Sequence, residues 1–324
     1  MSRTTRECCR LSPPRSAALV LLSLLVGSTP LVADPDETRG AESVELDAAA
    51  TEQRAEGGRY GRGHLFAVTS PDGAVSHVFA SLHDDAGTVL TLPRPVTRTL
   101  ENSRFLLLTV RPDAMALTAL REHQYLPAGE DLEGLLGTEL YAWVARTLAE
   151  DGIEPASLRH WRPWVAIAAL TSTPRIGPDH LHQRLHSRAR RHGLLIHGLE
   201  TTEARIERVD RLSEADQIGL LRHVLQRREG LAEERAARRQ AWLEGDLAEL
   251  RARYEQQLSG LDRSLREAFR ENMGEGWQAR LVQRVEPFLM SGGAFIALEG
   301  QHLAGPDGFL ARLEARGFRV ERRY

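Results

Sequence analysis

Two histidines at opposite ends of the chain, His83 and His302, stand in matching settings. Each follows a short apolar run suited to a buried strand, Val75 to Leu82 in one case and Ala294 to Leu298 in the other. In open α/β sheets, sites form just beyond the carboxyl ends of strands. Pairing of the two runs in one sheet would therefore bring the imidazoles together, where they could bind a metal or exchange protons. Taken one at a time, each reads as an ordinary strand-end histidine with a single hydrogen bond.

Other residue types narrow the chemistry. His180, His182, His186 and His192 form a second cluster, and His182 and His186 have the i,i+4 spacing of a zinc-binding helix. Leu181, Leu185 and Ala189 mark that helix's buried face, so these histidines are expected at its edge or in water. His197 lies within an apolar strand and reads as a satisfied core histidine. There is no Gly-x-Ser-x-Gly, and Ser81 is close to His83 only in sequence. No Gly-x-Gly-x-x-Gly follows a strand, so no nucleotide site is indicated. The chain contains no lysine, which excludes a lysine nucleophile, a Schiff base and a P-loop lysine. With 42 Lys+Arg against 45 Asp+Glu and a net charge of -3, nothing points to a nucleic-acid or strongly acidic partner.

The elements that must position these groups begin after an expected export signal. Arg3, Arg6, Arg10 and Arg15 precede the apolar run Ala17 to Gly27, which is too short to span a bilayer comfortably. Leu31-Val32-Ala33 offers a cleavage site before Asp34, giving a signal peptide over 1–33 and a periplasmic or secreted protein with no stable membrane span. Cleavage after Ser28 is a second choice, and an uncleaved anchor the alternative. The two cysteines, Cys8 and Cys9, precede the apolar run, so the mature chain is expected to have no thiol. Residues 34–62, polar and then Gly-rich, read as a flexible linker. A single domain is expected over 63–324.

Within it, His64 to Val68 and Val75 to Leu82 read as a strand hairpin around Ser70-Pro71-Asp72-Gly73. Phe105 to Val110 is a third strand, and Leu194 to His197 a buried one ending in a turn that carries Glu200. Helices are expected over Val96 to Asn102, Asp113 to His123, Leu132 to Glu150, Trp161 to Leu170, Arg211 to Leu258 with a break near Gly245, and Trp277 to Glu286. A strand over Ala294 to Leu298, a helix near Phe309 to Ala315 and a strand over Phe318 to Glu321 close the chain. Neither end has enough strands for a sheet of its own. The expected fold is therefore α/β, a mixed central sheet formed by the N- and C-terminal strands with a large helical middle region.

In order and spacing, these segments resemble the TraB/GumN family, which includes the Tiki-type proteases. The resemblance rests on Leu65 to His83, Leu126-Pro127-Ala128-Gly129, Arg162-Pro163-Trp164, Gly177-Pro178-Asp179, Gly198-Leu199-Glu200-Thr201, Ala241 to Leu247, Phe295 to His302 and Gly317-Phe318-Arg319-Val320. It implies a metal-dependent hydrolase, acting on peptides in Tiki-type members, with His83, His302 and Glu200 as the carried-over site and an arginine from a late helix. The chain departs from the pattern in four places. Ala80 and Glu299 replace the first glycines of the two Gly-x-x-His motifs. Thr109 stands where an acidic residue is expected, and the late Arg-Asn pair is represented only by Arg270-Glu271-Asn272.

A hydrolytic metal usually has three protein ligands and an open position. His83 and His302 supply two, and Glu200, Glu299, Asp84 or Asp85 a third, for manganese, cobalt or zinc. Glu299 is either a replacement for the carboxylate missing at Thr109 or drift at a turn that no longer binds anything. Glu200 is the first choice of water-activating base and Glu299 the second, although Glu200 also reads as a cap of the following turn, where Thr201-Thr202 stand. Two functions follow: a metal-dependent hydrolase acting on peptide or protein, or a non-catalytic relative without a metal that binds a partner or ligand.

Overall fold

The computed structural model describes residues 60–84, 86–171 and 180–324. The expected signal peptide, most of the expected linker, Asp85 and the Gly177-Pro178-Asp179 motif lie outside them. A six-stranded sheet has the order β4-β3-β5-β2-β1-β6. Its strands are β1 (Leu65–Thr69), β2 (Val75–Ser81), β3 (Phe105–Leu108), β4 (Leu195–Gly198), β5 (Ala294–Glu299) and β6 (Arg319–Arg322). As expected, N- and C-terminal strands build one mixed sheet. β1 pairs antiparallel with β2 and β6, while β2, β5, β3 and β4 run parallel.

This topology decides where the site lies. β5 is central, covered on both faces, and apolar along almost its whole length, as such a strand must be. Its register with β2 sets Ser81 beside Glu299, and its register with β3 sets Leu108 beside Ala297. The segments that follow β2, β3, β4 and β5 therefore leave the sheet on the same side, carrying His83, Thr109, Glu200 and His302. Gly300 lets the last of these turns approach the helix Leu247–Ser259, since a Cβ there would lie 2.8 Å from a Leu250 methyl.

Two apolar cores support these elements. One joins the sheet to Leu181, Trp242, Trp277, Leu281 and Val285. The other lies within the helical middle, among Trp164, Ile206, Leu221, Tyr254, Phe269 and Met273. Trp242 ties a helix to the sheet by donating from Nε1 to the Ala80 carbonyl at 2.8 Å.

Several expectations are corrected. The helix expected over Leu132 to Glu150 is two helices, Leu132–Leu136 and Thr138–Glu150, separated by Gly137 at φ 76°. The long helical stretch after Arg211 divides into Glu214–Gln226, Leu231–Leu243 and Leu247–Ser259. Pro287 does not end its helix, which runs over Glu275–Ser291, because Val285 and Leu289 on either side are fully buried against the sheet. β4 is an edge strand, not a buried one: Leu195 is 60% exposed, and His197 is exposed, its ring against Phe105 and Phe288. Tyr60 to Arg62, read as the end of a linker, are held to the domain. The Tyr60 ring meets Phe66, Ala248 donates its N–H to the Gly61 carbonyl, and Arg62 pairs with Asp246.

Candidate active site at the carboxyl edge of the sheet

A cavity of about 50 Å³ opens at this edge, lined by His83, His180, His182, His302, Glu299 and Thr109, with Arg205, Arg208, Met273 and Trp277 among its other walls. That is room for a few waters or one small group. Two residues expected at the edge of a helix or in water, His180 and His182, thus face the site instead. The helix they begin, Leu181–Arg191, has His180 as its N-cap, the Nδ1 accepting from the Gln183 N–H at 3.4 Å. His182 lies next to β2, its Nε2 2.9 Å from Ser81 Oγ. Leu181 and Leu185 are buried, as read from the sequence, but that buried face also turns the first helical residues toward the sheet edge.

The two histidine turns are held by consecutive arginines on the helix Leu231–Leu243. Arg239 donates to both oxygens of Asp84, at 3.0 and 3.1 Å, one residue after His83. Arg238, fully within the fold, donates to Gln301 Oε1 and lies 4.0 Å from Glu299 Oε2. The His302 ring stands edge-on between Tyr254 and Trp277, with centroids 5.5 and 5.4 Å away. Gln278 Nε2 meets its Nδ1 at 3.1 Å. Gln278 Oε1 is buried without a partner, so turning the amide over would let Oε1 accept from the His302 Nδ1–H and leave the ring's lone pair on His302 Nε2.

Glu200 is held apart from these residues. Its two oxygens accept from Arg208 at 2.7 and 3.1 Å, and one also accepts from Trp277 Nε1 at 3.2 Å. Arg208 stacks over the Trp277 ring at 4.9 Å and donates to the Asn272 carbonyl. Glu200 lines a neighbouring pocket with Arg111, Asp113 and Thr202 instead. The cap of the next helix is made by Thr201, whose Oγ1 accepts from the Ala204 N–H. The late arginine, Arg270, pairs with Glu255 and is not in the cavity wall. Arg205 and Arg208, which are in that wall, were not singled out in the sequence. Their i,i+3 spacing just after Gly198-Leu199-Glu200 is the signal for them.

Electrostatics separates the two kinds of histidine chemistry. Burial pushes His83 down to about 3, helped by the positive charges of its neighbours His180, Arg205 and Arg238. Burial likewise pushes His182 to about 3 and His302 to about 4, in both cases against the opposing pull of Glu299. Such rings are neutral at pH 7, too weakly basic for efficient general-base work. A neutral imidazole is, however, the form that binds a metal.

The donor set fits a divalent metal in kind. His83 Nε2 and Glu299 Oε2 are both buried without a hydrogen-bond partner, and imidazole with carboxylate is a common donor combination. As the side chains stand, no three His, Asp or Glu among the described residues converge closely enough to hold an ion.

The family model described as TraB/PrgY/gumN matches residues 65–322. No curated protein and no solved structure matches the chain.

Proposed function

The chain belongs to the TraB/PrgY/gumN family, and from that premise we propose that it is an exported, metal-dependent hydrolase acting on peptides, with its chemistry in the cavity at the carboxyl edge of the sheet. The observation that carries this reading is a pair of buried atoms without a hydrogen-bond partner, His83 Nε2 and Glu299 Oε2, in one cavity with His302. His83 and His302 would hold the ion, with Glu299 beside it in the cavity wall. A divalent metal bound there would polarise a carbonyl and lower the pKa of water.

The chain's own residues supply the rest. Glu299 Oε2 is the carboxylate oxygen available to take a proton from a water entering the cavity, while both Glu200 oxygens are engaged by Arg208. We therefore place Glu299 ahead of Glu200 as base. Arg238 and Arg239 fix the two histidine turns, and Arg205 and Arg208 line the cavity where a substrate oxygen would gain negative charge.

The second reading, a non-catalytic relative that binds a partner, is favoured by the engaged Glu200 and by the lack of three converging donors among the described residues. Two measurements on the purified chain separate them: bound manganese, cobalt or zinc, and hydrolysis of a peptide library, each with His83→Ala and Glu299→Gln. Retention of one equivalent of metal, lost in His83→Ala, with hydrolysis lost in Glu299→Gln, supports the hydrolase. A chain that stays metal-free and inert in millimolar metal decides for the second reading.

A further inference from the structure

We infer that a peptide substrate is held in extended form as an added strand on the open edge of β4, lying antiparallel to it and reaching the pocket at its carboxyl end. This rests on the reading that the chain acts on peptides, and goes beyond it by naming the surface that carries the substrate and the direction in which it lies.

β4 closes the sheet order at one end and pairs with β3 alone. Leu195 and Leu199 donate their N–H groups to the Arg104 and Leu108 carbonyls on the β3 side. Backbone direction alternates along a strand, so the N–H and C=O of Ile196 and Gly198 point away from the sheet. These are the groups that an added strand pairs with. Such an edge is usually blunted by charge, proline, a bulge or a covering segment. Leu195-Ile196-His197-Gly198 has no acidic residue, no arginine and no proline. Of the four, only Ile196 is even partly covered. The exposed Leu195 adds apolar surface beside the outward backbone groups.

The edge also leads to the site. β4 runs parallel to β3, β5 and β2, so its carboxyl end lies on the same side of the sheet as the cavity. Just beyond it is a pocket of about 200 Å³ whose walls include Gly198, Thr201, Val110 and Met115. Val110 also lines the cavity, so pocket and cavity share a wall. Met115 is 73% exposed, and its flexible side chain can fit varied apolar partners. Together with Val110 and Ala116 it suits an apolar substrate side chain.

Charge sets the direction. Arg190 and Arg191, both exposed, stand just before β4, and Glu203, also exposed, stands just after it in the pocket wall. An antiparallel peptide puts its carboxylate end beside the arginines and its ammonium end toward Glu203. Antiparallel pairing is also the slightly more stable kind per residue.

The test is fluorescence anisotropy on the purified full chain in chelator, so that no probe is consumed. The probe is a fluorescein-labelled peptide of alternating valine and threonine ending in two glutamates, with a series N-methylated at one backbone nitrogen each. Methylation at every second position should weaken binding about 5-fold or more, the worth of one main-chain hydrogen bond, and the positions between should matter little. Ile196→Pro removes an outward N–H without touching a bond to β3, a change that edge strands accept, and should weaken the unmethylated probe to a similar extent. Gly198 is left intact, because a Cβ there would lie 3.0 Å from the Glu200 carbonyl oxygen. Arg190→Gln with Arg191→Gln should remove the preference for this probe over one with the glutamates at its amino end. Far-UV circular dichroism checks that Ile196→Pro folds, and if it does not, the methylation series decides alone. Methylation effects without alternation, or no binding at millimolar probe, would overturn the inference. Hydrolysis of the peptide library would then leave the hydrolase reading standing. A dimer in sedimentation that Ile196→Pro dissociates would also overturn it, since β4 would pair with a second copy of the chain. If the alternation appears but no peptide is hydrolysed with any metal, the inference holds and the hydrolase reading alone fails.

Discussion

Glu200 and Arg208 face each other as a two-point ion pair, their side chains 1% and 7% exposed, with Trp277 bonded to the carboxylate and stacked beneath the guanidinium. The pair joins the turn after β4 to the helix Thr202–Asp210, and through the Asn272 carbonyl to the helix Arg263–Met273. Removing one partner of a buried pair leaves the other uncompensated, at a cost of about 3–5 kcal/mol. Glu200→Gln is therefore expected to lower the stability of the chain by about that much in urea unfolding. Glu299→Gln should cost less, since Arg238 keeps its bond to Gln301. A stable Glu200→Gln variant that had lost hydrolysis would show instead that Glu200 acts on substrate.

A second prediction concerns pH and lies away from the site. His223 is buried in the helical middle with Nε2 unpartnered, and burial, then the charge of Arg227, pushes its pKa down to about 4. The unfolded chain would protonate this ring near pH 6.5. Between those values the unfolded state binds the proton more readily, so stability is full above about 6.5 and falls as pH drops toward about 4. His223→Gln should flatten this part of the melting temperature against pH profile. An unchanged slope over that window would mean that other groups, such as the cavity histidines, account for the whole acid sensitivity.

A third prediction concerns the clamp on the first histidine turn. Arg239→Gln removes both charged bonds to Asp84. Arg239 is partly exposed, so little stability should be lost. The turn carrying His83 would be less fixed, and metal affinity should fall roughly 10- to 100-fold. Affinity equal to that of the unaltered chain would show that the backbone alone fixes His83.

How much of this was legible in the sequence depends on the range of the interaction. The alternation and apolar runs of β1, β2, β3 and β5 are local signals, and their pairing followed from there being too few strands at either end. That placed His83 and His302 at one edge. The same local logic misplaced His180 and His182, because a helix read by itself shows which face is buried but not that its first turn abuts a sheet edge. His197 failed for a related reason: Leu195 to Gly198 has the composition of a core strand but sits at the sheet's open edge. The engagement of Glu200 by Arg208 joins residues eight apart, yet it needs Trp277 from a distant helix to complete it.

Export is the fourth prediction, and it rests on sequence alone. The basic stretch Arg3 to Arg15, the apolar run Ala17 to Gly27 and Leu31-Val32-Ala33 predict cleavage before Asp34. Among the described residues no helix is long and apolar enough to cross a membrane. Mass analysis of the N-terminus in periplasmic or secreted fractions should find Asp34 first. An intact Met1 on cytoplasmic protein would overturn this, and with it the exported part of the proposed function.

The last prediction uses the departure at Thr109. This residue follows β3, its carbonyl accepts from the Glu200 N–H at 2.9 Å, and it lines the cavity with His83, His180, His182 and Glu299. Thr109→Glu adds a carboxylate at the position where the family resemblance implies an acidic residue. Arg205 and Arg208 stand in the same wall to balance the added charge. A second carboxylate near a divalent ion strengthens binding, since hard cations favour oxygen donors and the local field becomes more negative. Co²⁺ and Mn²⁺ affinity should therefore rise in Thr109→Glu, more for Mn²⁺, which prefers oxygen ligands. The gain should vanish when His83→Ala is added, because the new carboxylate works only alongside the imidazoles. If Thr109→Glu folds, binds no more metal than the unaltered chain and leaves hydrolysis unchanged, Glu299 already fills the acidic role. If it binds metal only weakly even with His83 intact, the cavity is not a metal centre, and the non-catalytic reading stands.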